Sequence, residues 1–85
     1  MSRVFWSLFY DRGVTAYLRS MRGTETGQML HKAIVALQFE EEPSRGHEAI
    51  PERPNRYFVI IATYRITIEI RSERKAIGIL LIESV

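Results

Sequence analysis

Two arginines lie in or beside an apolar stretch of the sequence, where a charged side chain can hold an anion. Arg65 stands inside YFVIIATYRITIEI, residues 57–70, and Arg56 directly precedes it. The guanidinium group is a planar fork that suits a phosphate or a carboxylate. Arg65 could therefore contact a phosphate, or it could pair with Glu69 or a cross-strand acid on a solvated face. The spacing alone favours the ion pair.

His47 and Glu48 are two further residues with acid–base potential. They lie in PSRGHEAIPERPN, residues 43–55, which holds all three prolines and is predicted to be a loop. A histidine or a carboxylate could move a proton during cleavage of RNA. Their position equally suits an exposed loop histidine and a solvated acid. The sequence has no cysteine, so we expect no disulfide and no thiolate metal site. We also expect no bound metal and no cofactor.

The composition is that of one ordinary globular domain, residues 1–85. Hydrophobic residues make up 46% and charged residues 26% of the chain, which argues against disorder. The formal net charge of +2 permits an acidic partner such as RNA, DNA or an acidic protein segment. Ten Arg against two Lys fits phosphate recognition, and it fits a GC-rich genome as well. No apolar run approaches the roughly 20 residues of a membrane helix, so we expect a cytoplasmic protein without a membrane partner.

Hydrophobic periodicity predicts two helices followed by a run of strands. The first helix is capped by Asp11 and ends near Gly23; the second is capped by Thr24 or Thr26 and is stopped by Pro43. Strands are predicted at residues 4–10, 56–61, 64–70 and 76–82. The expected fold is α+β, in the order β-α-α-β-β-β, with the helical pair on one face of a mainly antiparallel four-stranded sheet.

Strand alternation assigns the two faces of this sheet. With a two-residue turn at Ala62 and Thr63, Ile61 pairs with Tyr64, and the core side receives the residues that alternate with them. The opposite face, called the open face below, is expected to carry Arg56, Phe58, Ile60, Arg65, Thr67 and Glu69. Exposed apolar residues among charges are typical of a partner surface, and without a partner they predict self-association as a two-fold dimer.

The segment SRGHEAIPERPNRYFVIIATYRITIEI, with LHKAIVAL before it and AIGILLI after it, resembles the RelE/ParE toxin superfamily of bacterial toxin–antitoxin systems. The resemblance covers nearly the whole chain in element order and spacing. It implies a small toxin that an antitoxin neutralises by covering a concave basic sheet face. It also implies one of two targets: RelE-type members cut mRNA in the ribosomal A site, and ParE-type members poison DNA gyrase.

The resemblance gives Arg65 a role, because in RelE-type members the arginine of the YR pair contacts the scissile phosphate. Other positions depart from that pattern. Phe58 and Ile60 replace basic residues, and the later segment with a basic residue and a Tyr or His acid has no counterpart after IESV. Metal-independent RNA cleavage by this chain therefore stays open beside binding without catalysis. A non-toxic relative that serves protein binding or dimerisation is the alternative. The antitoxin is expected to cover the partner-binding residues Phe58, Ile60, Arg65, Thr67 and Glu69.

Overall fold

A computed structural model describes residues 5–85 of the chain. Within these residues, two helices and five strands follow one another, with one 3₁₀ turn before the last strand. In chain order they are β1 (Ser7–Tyr10), α1 (Arg12–Ser20), α2 (Glu25–Leu37), β2 (Glu48–Ala49), β3 (Arg56–Ile61), β4 (Tyr64–Arg71), the 3₁₀ turn (Ser72–Arg74) and β5 (Ala76–Ser84). The predicted α+β class and the helical pair are confirmed.

Each helix begins at a side-chain cap that the sequence provides. The Asp11 carboxylate accepts a hydrogen bond of 2.9 Å from the backbone N–H of Gly13, and the Thr24 hydroxyl accepts one of the same length from Gly27. These bonds satisfy backbone donors that the first helical turn leaves free. Thr24, rather than Thr26, is therefore the cap of α2. The helix ends at Leu37, earlier than expected from Pro43.

In the described part of the chain, the sheet has five strands, in the order β1-β5-β4-β3-β2. β1 runs parallel to β5, and the other neighbouring strands are antiparallel. The expected strand count of four was wrong because β2, only two residues long, lies within the segment predicted to be a loop. Of the first predicted strand, residue 4 lies outside the described residues, and the structure places β1 at Ser7–Tyr10.

The β3–β4 hairpin has the register that the sequence predicts. Ile61 lies opposite Tyr64, Ile60 opposite Arg65, and Phe58 opposite Thr67. Ala62 makes the tight turn possible by adopting a left-handed φ of 54°. The assignment of β3 side chains to the two faces therefore holds.

The β4–β5 pair contains one irregularity. Thr67 lies opposite Leu81 and Ile68 opposite Ile79, so Leu80 is an extra residue in β5, a β-bulge. Because successive strand residues point to opposite faces, the bulge reverses the orientation of every side chain that follows it.

The core lies between the helices and one face of the sheet. Fully buried side chains from both layers meet there: Leu30, Ile34, Ile66, Ile68, Ile77 and Ile79. Removing an aliphatic side chain of this kind typically costs about 2–5 kcal/mol of stability. Within residues 5–85, no helix is long and apolar enough to cross a membrane.

Candidate functional site: the open face of the sheet

The open face is the sheet surface opposite the helices. The structure brings together on it all six residues that the sequence assigned there, and it adds residues from β1, β2 and β5 and one more from β4. The added residues include Phe9, Glu48, Arg71, Gly78, Leu81 and Glu83.

Arg65 lies at the centre of the open face and is held by an acid of the neighbouring strand. Its Nε and Nη2 atoms donate hydrogen bonds of 3.0 and 2.8 Å to the same oxygen, Oε1 of Glu83. Its guanidinium carbon lies 4.6 Å from the ring centroid of Phe58, a cation–π distance. The cross-strand ion pair predicted as one alternative is thus present, with Glu83 as the acid. Both side chains stay about one-third exposed, at 35% and 36%, so another anion can reach this guanidinium.

Glu69 is the acid of a second cluster on the same face. Its carboxylate accepts hydrogen bonds from Arg71 at 2.7 Å and from Arg56 at 3.1 Å. The hydrogen bond from Arg71, with a smaller contribution from Arg56, lowers the pKa of Glu69 below its ordinary value, although burial opposes the shift. Glu69 is therefore an anion at neutral pH and a poor proton donor.

Between these two clusters lies an apolar row that crosses the sheet. Phe58, Thr67 and Leu81 are cross-strand neighbours in it, and Ile60 adjoins it beside Arg65. Ile60 is 57% exposed and Leu81 is 49% exposed, which is unusual for side chains of this size in a sheet. The row forms a narrow apolar surface flanked on both sides by ion pairs.

Among the described residues, the charges of the open face cancel. Three arginines, Arg56, Arg65 and Arg71, lie there with three glutamates, Glu48, Glu69 and Glu83. The face is consequently not the strongly basic surface that a polyanion would favour on charge alone.

The proton-transfer groups expected for catalysis do not gather on the open face. Glu48 reaches it at the sheet edge, opposite Phe58, while His47 is half-buried just before β2. Tyr57 and Tyr64 pack against the core. Among residues 5–85, no histidine or tyrosine occupies an open-face strand position, and no cluster of three metal-binding side chains occurs. The face can bind an anion or an apolar group, and it offers no obvious acid–base pair.

Sequence reasoning missed Glu83 and Leu81 as open-face residues. Strict alternation from Ile77 and Ile79 directs residues 81 and 83 into the core, whereas the bulge at Leu80 turns both outward. Arg71 could have been found, because it continues the alternation of Arg65, Thr67 and Glu69 by one residue.

Comparison with solved structures identifies the architecture. The free form of an E. coli RelE toxin mutant superposes with a TM-score of 0.74 at 17% identity, over 99% of this chain and 84% of that chain. The chain has the RelE toxin fold. A chain of the intact E. coli RelBE toxin–antitoxin complex gives a TM-score of 0.71 at 17% identity, over 94% of this chain and 96% of that one.

A third RelE-fold match comes from the toxin–antitoxin complex RelBE2 of Mycobacterium tuberculosis. Its TM-score is 0.66 at 17% identity, over 100% of this chain and 98% of that one. No protein-family model and no curated protein sequence matches the chain. At this level of identity the likeness establishes the RelE fold, and function has to be argued from the site.

Proposed function

We propose that this chain is the toxin-type component of a toxin–antitoxin pair and that it inhibits growth by binding its target in the cytoplasm, without cleaving RNA. The observation that carries the proposal is the open face: a RelE-fold sheet with a charge-balanced surface and an exposed apolar row. Such a surface suits a protein partner, because apolar side chains supply contact area and paired charges fix the register. DNA gyrase, a protein target, fits this chemistry better than the phosphate-rich ribosomal A site.

The antitoxin is the second partner of the same face. We propose that its segment lays apolar side chains along Phe58, Ile60 and Leu81 and offers carboxylates to Arg65. Three of the structural neighbours are toxins in complex with an antitoxin or an antitoxin peptide, which supports a partner of this kind.

Metal-independent cleavage of mRNA is the competing function, and Arg65 is the observation that favours it. Attack by a ribose 2′-hydroxyl needs a base, an acid and cations that stabilise the phosphorane. Arg65 could supply one cation once Glu83 is displaced. The arginines of the second cluster are already committed to Glu69.

Controlled induction of the chain in bacteria tests the proposal. We expect growth arrest by the wild type and relief by Ile60→Ser combined with Leu81→Ser, which removes exposed apolar area without touching the core. Arg74→Ala, an exposed arginine on the 3₁₀ turn with no ion pair among the described residues, is the matched control and should still arrest growth.

Mapping of mRNA 5′ ends after induction separates the two mechanisms. Unchanged ends during arrest support binding, whereas new ends that disappear in Arg65→Ala would establish the nuclease instead. A folded wild-type chain that causes no arrest would leave the non-toxic binding module as the function.

A further inference from the structure

Helix α2 turns a continuous stripe of residues away from the core. The stripe follows helical spacing, opposite the buried Leu30, Ile34 and Leu37. His31, Lys32 and Ala36 in it are exposed, and Val35 is half-buried. On α2 the stripe comprises Gln28, His31, Lys32, Val35 and Ala36, and Phe39 continues it just beyond the end of the helix.

One end of the stripe is a basic pocket. A pocket of about 480 Å³ lies where α1 and α2 meet, with Tyr10, Leu18 and Met21 as its apolar lining. Arg19 and Arg22 also line it, and neither has an ion pair among the described residues. These arginines differ in this respect from the three on the open face, each of which is paired.

A close approach of the two helices shapes this pocket. A Cβ at Gly27 would collide with the backbone carbonyl of Met21, so only glycine permits the first turn of α2 to lie against the end of α1. His31 lines the same pocket from the second turn of α2. The hairpin therefore presents a preformed hollow with cations at its rim.

The other end of the stripe is acidic and carries an exposed aromatic ring. Phe39 follows the end of α2 and is 40% exposed. Glu40, Glu41 and Glu42 come directly after it and are exposed. Arg45 pairs with Glu42 at 2.9 Å, which leaves Glu40 and Glu41 without an ion pair among the described residues. A large apolar side chain is thus followed by two free carboxylates.

We propose that two copies of this chain pair through α2, antiparallel and related by a two-fold axis near Val35. Residue 35 is midway between residues 31 and 39, so this axis places Phe39 of each copy beside His31 of the other. The phenyl ring then enters the apolar pocket, and Glu40 and Glu41 lie against Arg19 and Arg22. A two-fold axis makes both contacts twice, as a closed dimer requires.

A second copy fits this surface better than RNA or an acidic peptide of another protein. The stripe carries a basic pocket at one end and an acidic segment with an aromatic ring at the other. When two copies pair antiparallel, the pocket of each copy lies against the acidic segment of the other. Ala36, near the axis, is small enough for the helices to approach closely. A phosphate chain would engage the arginines but would leave the apolar lining and Phe39 uncovered. This inference does not depend on the proposed function, because the dimer surface lies on the helical layer and not on the open face.

Sedimentation velocity of the whole chain over a range of micromolar concentrations is the first test. We expect a monomer–dimer equilibrium that weakens when salt rises from about 0.1 M to about 1 M, since the Debye length falls from about 10 Å to about 3 Å. Phe39→Ser should leave a monomer. A wild type that remains monomeric at every concentration would overturn the proposal.

Charge reversal provides a sharper test, with a built-in rescue. Arg19→Glu with Arg22→Glu, and separately Glu40→Arg with Glu41→Arg, should each raise the dimer dissociation constant at least about tenfold through like-charge contacts. Mixing the two variants should restore a dimer, because each then offers the complement of the other. Arg53→Glu with Arg74→Glu changes the net charge as much as the pocket variant does and should leave the equilibrium unchanged.

The same experiment identifies a dimer formed elsewhere. If the pocket variants dimerise like the wild type while Ile60→Ser with Leu81→Ser is monomeric, the open face is the interface and the proposal is wrong. Failure of the mixed variants to pair, with both folded by circular dichroism, would also contradict it. An RNA or acidic peptide that binds a strictly monomeric wild type through Arg19 and Arg22 would reassign the pocket to that ligand.

Discussion

Glu83→Gln should strengthen the binding of anions to the open face while hardly changing stability. Glutamine keeps the size of glutamate and a neutral acceptor oxygen, so the substitution removes the charge and little else. The Arg65 guanidinium, which now donates two hydrogen bonds to one oxygen of Glu83, becomes available to a phosphate or carboxylate. The net charge of the face rises from zero to +1.

The size of both effects follows from the exposure of the pair. An ion pair whose members are each about one-third exposed contributes roughly 0.2–1 kcal/mol, and this sets the limit of the stability loss. In a domain of this size, 1 kcal/mol corresponds to about 4–8 °C in Tm. Once released from Glu83, the Arg65 guanidinium can make charge-assisted hydrogen bonds to a phosphate. These bonds should improve the free energy of binding by about 1.4 kcal/mol, which is about tenfold in affinity.

Urea unfolding and fluorescence anisotropy with a single-stranded RNA oligonucleotide measure the two quantities. Glu48→Gln is the matched control, since it changes the charge of the same face equally and has no ion pair among the described residues. We expect Glu83→Gln to bind RNA more tightly than this control does. Equal affinity of the two variants, or a stability loss above about 2 kcal/mol, would refute the view that Glu83 masks an accessible arginine.

Three further outcomes follow from the structure. Gly78→Ala should lower the free energy of unfolding by about 1–2 kcal/mol in urea, because a Cβ there would lie 2.5 Å from the Phe9 ring and displace it. The ionised Glu69 should add a stability contribution that is present above the ordinary carboxyl pKa and disappears as the pH falls through the lowered pKa of Glu69. Acid titration followed by circular dichroism should show this contribution in the wild type and not in Glu69→Gln. At the alkaline end, burial raises the pKa of Tyr17, so its contribution to stability is complete below pH 10.0, the ordinary value. This contribution should disappear as the pH rises through the raised pKa, and Tyr17→Phe should lack this component of the alkaline loss.

Local sequence patterns were sufficient to predict the structure where it depends on a single side chain or on strand alternation. The cap at Asp11 and the register that pairs Ile61 with Tyr64 were both predicted, because each depends on residues close together in the chain. The open-face position of Phe58 followed from that register. Arg65 was placed correctly for the same reason, and its pairing with a cross-strand acid was one of the two predicted possibilities.

The sequence could not supply features that depend on distant pairings. β2 is too short to show alternation, and its pairing with β3 becomes visible only in the folded sheet. The bulge at Leu80 carries no composition signal, so the identity of the acid that pairs with Arg65 was hidden. The stripe on α2 could not be predicted as a dimer surface either, because α1 supplies part of its basic end. The pocket there exists only where the two helices pack against each other.

The bulge at Leu80 decides which side chain of β5 faces Arg65. If β5 paired with β4 without the bulge, with Leu80 opposite Thr67, then Ile82 would lie opposite Arg65 and Glu83 would turn to the core side. The surface would change from neutral to basic although no residue had been replaced. A protein with this scaffold could therefore pass between protein-binding and nucleic-acid-binding surfaces by a one-residue change of register in its final strand, a route that comparison of aligned side chains alone would overlook.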